Sequence, residues 1–127
     1  MPDQPLIAVV DDDEPVREAL SSLIRSLGHS VVVFASAADI LRYRDRGRVA
    51  CLISDFQMPG MNGLELYDEL KRLGESIPTI LITAYPSGSG RQRALESGVL
   101  CYLTKPFLEE DLLACLRQAL QQGGGPL

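Results

Sequence analysis

The stretch Cys51-Leu52-Ile53-Ser54-Asp55-Phe56-Gln57-Met58-Pro59-Gly60-Met61-Asn62-Gly63 runs from an apolar triplet through a single acid into a loop. Residues 51–53 show no polar alternation, which suits a strand covered on both faces. Asp55 ends that strand. Pro59-Gly60 is a turn signal, and the flanking Met58 and Met61 read as loop anchors. Past Gly63 the hydrophobic period changes from two to about 3.6. Leu66, Tyr67, Leu70 and Leu73 share a face, so a helix is predicted over residues 63–73, closed by Gly74.

Working outward, the same unit recurs. Apolar runs at residues 6–10, 31–34, 79–83 and 100–103 predict four further strands. Val16, Leu20, Leu23, Ile24 and Leu27 form a helical stripe, with Asp13 as candidate N-cap, Pro15 in the first turn and Gly28 as the stop. A second helix is expected over 37–45. A fourth is expected to begin late, near Gly90 or Arg91, and to end at Gly98, because Tyr85-Pro86-Ser87-Gly88-Ser89-Gly90 lacks strong helix formers and should stay a labile loop. Leu108, Leu112, Cys115, Leu116 and Ala119 mark a fifth. Five alternating units with right-handed crossovers predict an α/β fold, a flavodoxin-like (βα)5 doubly wound five-stranded parallel sheet with strand order 2-1-3-4-5. One domain is expected over 1–121, with the glycine-rich 122–127 as a flexible tail or the start of a linker.

Composition agrees with one globular domain. At 127 residues, folding removes roughly two-thirds of the chain's accessible surface. No apolar run reaches the about 18 residues of a membrane span, and the N-terminus has no signal-peptide pattern, so a cytoplasmic protein without membrane contact is expected. The net charge of −5 argues against nucleic-acid contact by this domain. Cys51, Cys101 and Cys115 show no CxxC spacing and read as buried reduced thiols. His29, the only histidine, follows Gly28 and reads as a turn residue.

The chemistry lies at the strand ends. Asp11, Asp12 and Asp13 follow strand 1, Asp55 ends strand 3, Thr83 ends strand 4 and Lys105 lies just past strand 5. Strands 1 and 3 are neighbours in the expected order, so Asp11, Asp12 and Asp55 should converge. Clustered carboxylates repel unless a cation sits among them, and Mg²⁺ suits one or two carboxylates plus phosphate oxygens. Lys105 offers a point charge for phosphate and Thr83 a hydroxyl donor. The inferred reaction is attack by Asp55 on phosphorus to give an acyl phosphate, with no general base required.

Ala8-Val9-Val10-Asp11-Asp12-Asp13, residues 54–63, Thr83-Ala84 and Lys105-Pro106-Phe107 resemble, in order and on the right strand ends, the receiver domains of bacterial two-component signalling. The resemblance covers residues 6 to about 120 and extends to the subgroup often linked to a helix-turn-helix output domain. It implies Asp55 as phosphorylation site, Asp12 as direct metal ligand, Asp11 as a ligand through water, and Gln57 as a ligand through its backbone carbonyl. The implied cofactor is Mg²⁺, with Mn²⁺ as a plausible substitute. Thr83 and Lys105 would contact the phosphoryl group, Thr83 and Tyr102 would form the switch, and Lys105-Pro106 would be cis. The implied partners are a sensor histidine kinase or phosphotransfer protein and a phosphorylation-dependent homodimer. The switching surface would be helix 4, strand 5 and helix 5. Tyr85, two residues beyond Thr83, is expected at the rim as a cover over the phosphoryl group.

Taken singly, the same residues have plainer readings. Asp11-Asp12-Asp13-Glu14 reads as a solvated turn, Asp13 as a helix cap, Thr83 as a strand residue, Tyr102 as a half-buried strand aromatic and Lys105 as a surface charge. Convergence on one edge overturns these readings. Two other functions compete: a binding-only pseudo-receiver, against which stand all the acids, the threonine and the lysine, and an aspartate-nucleophile phosphatase. The phosphatase would need a second acid two residues after Asp55, where Gln57 stands.

Overall fold

The computed structural model describes the backbone of residues 5–124 and side chains to residue 121. The elements are β1 (Leu6–Val10), α1 (Glu14–Ser26), β2 (Ser30–Phe34), α2 (Ala37–Leu41), a 3₁₀ turn (Arg46–Arg48), β3 (Val49–Asp55), α3 (Gly63–Arg72), β4 (Thr79–Thr83), α4 (Gly88–Ser97), β5 (Cys101–Thr104) and α5 (Glu109–Gly124). All strand pairs are parallel, and the order is β2-β1-β3-β4-β5, as the repeated units predict. No helix among the described residues is long and apolar enough to cross a membrane.

The unalternating strands earn their apolarity by burial on both faces. Side chains project to opposite sides of a strand in turn. Ile7, Val9, Cys51, Ile53, Ile80 and Ile82 therefore pack under Leu20 and Ile24 of α1 and Leu112 and Leu116 of α5. Ala8, Val10 and Leu52 face the other way, against Ile40 of α2 and Leu66 and Leu70 of α3. Leu81 joins Tyr67, Ala94 and Tyr102 in a smaller cluster on that second side. Met58 and Met61 pack into the core beside Leu66, so they do anchor their loop.

Four local features depart from the expected pattern. The second helix stops at Leu41 instead of reaching residue 45. Its last carbonyls need partners, and the Arg46 guanidinium supplies them, hydrogen-bonding the carbonyls of Leu41 and Tyr43 while its Nε holds Glu75 at 2.8 Å. The fourth helix begins at Gly88, earlier than its glycines suggest, because Ser87 caps it: the Ser87 hydroxyl accepts from the Gly90 N–H at 3.0 Å. Asp13 occupies the N-cap of α1 without a side-chain cap bond; its N–H donates to Asp11 Oδ1 at 2.9 Å. The fifth helix continues through the expected tail to Gly124, and residues 125–127 lie outside the described residues. His29 does lie in the turn between α1 and β2.

The thiol reading fails at two of three positions. β5 lies beside the underside of α5, where Cys101 and Cys115 come to a Cα–Cα distance of 6.3 Å and are joined in a disulfide, a separation a bridge spans without backbone movement. Fourteen residues separate the two in sequence, so no local motif announces the pair. Cys51 is free, and burial pushes its thiol up to about 12, which leaves it unreactive. Thiol titration of the unfolded, unreduced chain is therefore expected to count one cysteine, and three after reduction. Reduction should lower stability by about 2–3 kcal/mol for a loop of this size. Three thiols before reduction would contradict the bond.

Candidate functional site

The ladder itself carries the site residues to one edge. Val10 pairs with Ser54 between β1 and β3, Asp55 with Ile82 between β3 and β4, and Thr83 with Thr104 between β4 and β5. Hydrogen bonding continues one step past the strands. The Asp11 N–H donates to the Phe34 carbonyl at 3.1 Å, the Phe56 N–H to Ile82 at 2.8 Å, and the Lys105 N–H to Thr83 at 2.7 Å. Asp11, Asp55 and Lys105 thus stand on backbone that the sheet fixes.

The loop after Asp55 is held from its far end. Asn62 and Glu65 form a reciprocal capping box at the start of α3, both bonds 2.8 Å. Gly63 donates to the Phe56 carbonyl at 2.9 Å, and a Cβ there would collide with the Asp55 carbonyl oxygen and with Leu81. Only glycine lets the helix start so close under the strand end.

Asp11, Asp12 and Asp55 each bring a carboxylate oxygen to within 4.8 Å of the others. Asp11 is buried, Asp55 half-buried and Asp12 exposed. Lys105 Nζ lies 3.3 Å from Asp11 Oδ2 and 3.7 Å from Asp55 Oδ2. Asp55 Oδ1 accepts from the Gln57 N–H at 3.3 Å. Burial first, then the neighbouring Asp11 charge, hold the Asp55 carboxyl above the usual carboxylate range; Lys105 and the Gln57 N–H pull it down, and Asp12 raises it again. The local charge favours a cation or a proton. The Lys105–Pro106 peptide bond is cis, as the family resemblance implies.

Thr83 is fully buried. Its hydroxyl donates to Gln57 Oε1 at 2.5 Å and accepts from the Tyr85 N–H at 2.9 Å. Tyr102 is also buried, edge-on to Phe56 at 5.8 Å and beneath the Arg91 guanidinium at 6.0 Å. Tyr85 departs from expectation: its ring is 76% exposed and stands in solvent instead of covering the site. Sequence reasoning missed three contributors. They are the Gln57 side chain, Phe56 behind Tyr102, and Arg17, whose guanidinium donates to the Asp11 carbonyl at 2.6 Å. Arg17 alone had a signal, since it lies one helical turn into α1, three residues after the last acid of the run.

A response regulator receiver domain model matches residues 7–117. The chain belongs to this family of two-component signalling domains. It is 45% identical over 116 residues to the response regulator protein TodT of Pseudomonas putida, covering 91% of this chain and 51% of TodT. A structure of the response regulator StyR superposes with a TM-score of 0.89 at 39% identity, over 96% of this chain and 62% of that one. The FixJ-N crystal structure superposes at 0.85 with 30% identity, over 95% and 96%. The chain spans about half the length of the curated relatives it matches.

The raised Asp55 pKa has a sign that can be tested. A carboxyl whose folded pKa exceeds its unfolded value costs stability above that folded pKa, and the cost disappears below the ordinary value of about 3.9. Asp55→Asn removes the buried charge. Without divalent metal, its Tm at pH 7 should exceed the parent's by a few degrees, and the gain should shrink as pH falls toward the ordinary carboxylate range. An equal or lower Tm at both pH values would contradict this account of the cluster.

Proposed function

We propose that this domain is a phosphoacceptor: Asp55 takes a phosphoryl group from a sensor histidine kinase or phosphotransfer protein, in the cytoplasm, in a Mg²⁺-dependent reaction. The observation that carries the reading is the convergence of three carboxylates, one ammonium and one buried hydroxyl on a single sheet edge. The donor set is all oxygen, three carboxylates and a carbonyl, which fits Mg²⁺ or Mn²⁺. Asp11, Asp12, Asp55 and the backbone carbonyl of Gln57 would hold the ion. When bound, it neutralises charge on the equatorial phosphoryl oxygens.

The chain's own residues account for the remainder. Asp55 is the nucleophile and needs no base once ionised. Its carboxylate oxygen bonds to phosphorus as the phosphorus–nitrogen bond of the donor histidine breaks, and the imidazole leaves with the electron pair. Lys105, already between Asp11 and Asp55, offsets the charge gathering on the phosphoryl oxygens. Thr83 then donates its hydroxyl to one of those oxygens. Such a movement disturbs the start of α4, and with it the packing of Tyr102 against Phe56 and Arg91. The surface of α4, β5 and α5 is the output face, and phosphorylation-dependent homodimerisation takes place there. The domain turns over no other substrate; its covalent chemistry is gain and loss of its own phosphoryl group. Neither nucleic acid nor membrane contacts it directly, and an output domain would follow the segment from residue 122.

Acetyl phosphate with Mg²⁺ should label the parent protein and leave Asp55→Asn unlabelled, because an amide does not attack phosphorus. Undiminished labelling of the variant would remove Asp55 from the role. Asp12→Ala should weaken Mg²⁺ binding by about tenfold or more, at least the loss that removing a ligand's outer hydrogen-bond partner causes, with the fold retained by circular dichroism. Matching Mg²⁺ titrations of variant and parent would show that Asp12 is no ligand.

A further inference from the structure

Thr83 has one proton to give and two claimants for it. The hydroxyl is fully buried, so its hydrogen needs an acceptor in every state of the domain. The Tyr85 N–H already occupies its oxygen as acceptor at 2.9 Å, and the proton goes to Gln57 Oε1 at 2.5 Å. A threonine hydroxyl carries a single donor hydrogen. Donation to a phosphoryl oxygen on Asp55 therefore requires that the bond to Gln57 be broken first.

We propose that the Gln57 side chain is a latch on Thr83, a positioning residue that holds the switch hydroxyl away from Asp55 until a phosphoryl group takes its proton. The inference rests on the reading of Asp55 as phosphoacceptor and Thr83 as the hydroxyl that answers it. Gln57 is well placed for this. Its own N–H donates to Asp55 Oδ1 at 3.3 Å, so the residue is fixed beside the nucleophile while its amide reaches Thr83. It is exposed, so once released its amide finds water, whereas the buried hydroxyl has no such alternative. The exchange replaces a neutral hydrogen bond by a charge-assisted one, about twice as strong. The latch thus opens when the phosphoryl group arrives, but it subtracts from the affinity the site would otherwise show and favours the resting state of the switch.

The test is a double-mutant cycle read by beryllofluoride affinity in saturating Mg²⁺. Gln57→Met keeps the side-chain length and removes the acceptor. It should bind beryllofluoride about three- to tenfold more tightly than the parent, the range expected for loss of one competing hydrogen bond. In a Thr83→Ala background the same substitution should change the affinity by less than about 1.5-fold, because with no hydroxyl there is nothing to hold. Thr83→Val serves as a second background that keeps the buried volume. Mg²⁺ affinity alone is measured for each protein. The latch is overturned if Gln57→Met binds beryllofluoride no better than the parent, if the gain persists without the hydroxyl, or if an equal gain in Mg²⁺ affinity accounts for it. A parent protein that fails to bind beryllofluoride at all overturns the phosphoacceptor reading and the latch together, a result distinct from equal affinities of parent and variant.

Discussion

The Lys105 ammonium stands between two carboxylates, 3.3 Å from Asp11 and 3.7 Å from Asp55, and an Asp12 carboxylate oxygen lies within 4.8 Å of theirs. One lysine does not balance three acids held by a rigid sheet edge. Asp55 registers its burial first and the deficit second, since its carboxyl stays above the ordinary range despite the ammonium. A site that repels itself in this way is prepared for added positive charge, and is costly to keep otherwise. In the proposed reading, a divalent cation and a phosphoryl group are what complete it.

The remainder of the fold keeps those acids from moving apart. Parallel strands with apolar side chains on both faces are clamped between α1 and α5 on one side and α2 and α3 on the other. The ladder extends one residue past β1, β3 and β5, so the site stands on hydrogen-bonded backbone. Beneath Asp55, Gly63 and the capping box of Asn62 and Glu65 close the loop from below. The residues of the proposed switch lie on the side of β4 and β5. There the Thr83 hydroxyl donates to an exposed glutamine and accepts from the Tyr85 N–H, and Tyr102 rests on Phe56 and Arg91.

Much of this is legible from period and position. Strand order comes from the count of alternating units, and the acids, Thr83 and Lys105 are polar residues at or just past the carboxyl ends of four of the five apolar runs. Most features that are not legible depend on contacts between segments distant in sequence. Arg46 ends α2 by reaching back to its carbonyls while paired with Glu75, and the Cys101–Cys115 bond joins two elements with no shared motif. Ser87 starts α4 where its glycines counsel otherwise, because one cap outweighs a weak propensity. Sequence gives Gln57 a role through its backbone alone; whether a side chain of that length reaches Thr83 depends on the angle at which the loop leaves β3.

The central claim is that this sheet edge is assembled to receive a phosphoryl group on Asp55. A crystal structure of the domain with Mg²⁺ and beryllofluoride tests it most directly. The account predicts beryllium bonded to an Asp55 carboxylate oxygen, the metal on Asp11, Asp12, Asp55 and the Gln57 carbonyl, and fluorines contacted by Lys105 Nζ and the Thr83 hydroxyl. Beryllofluoride bound elsewhere, or bound at Asp55 with Thr83 and Lys105 both turned away, would contradict it.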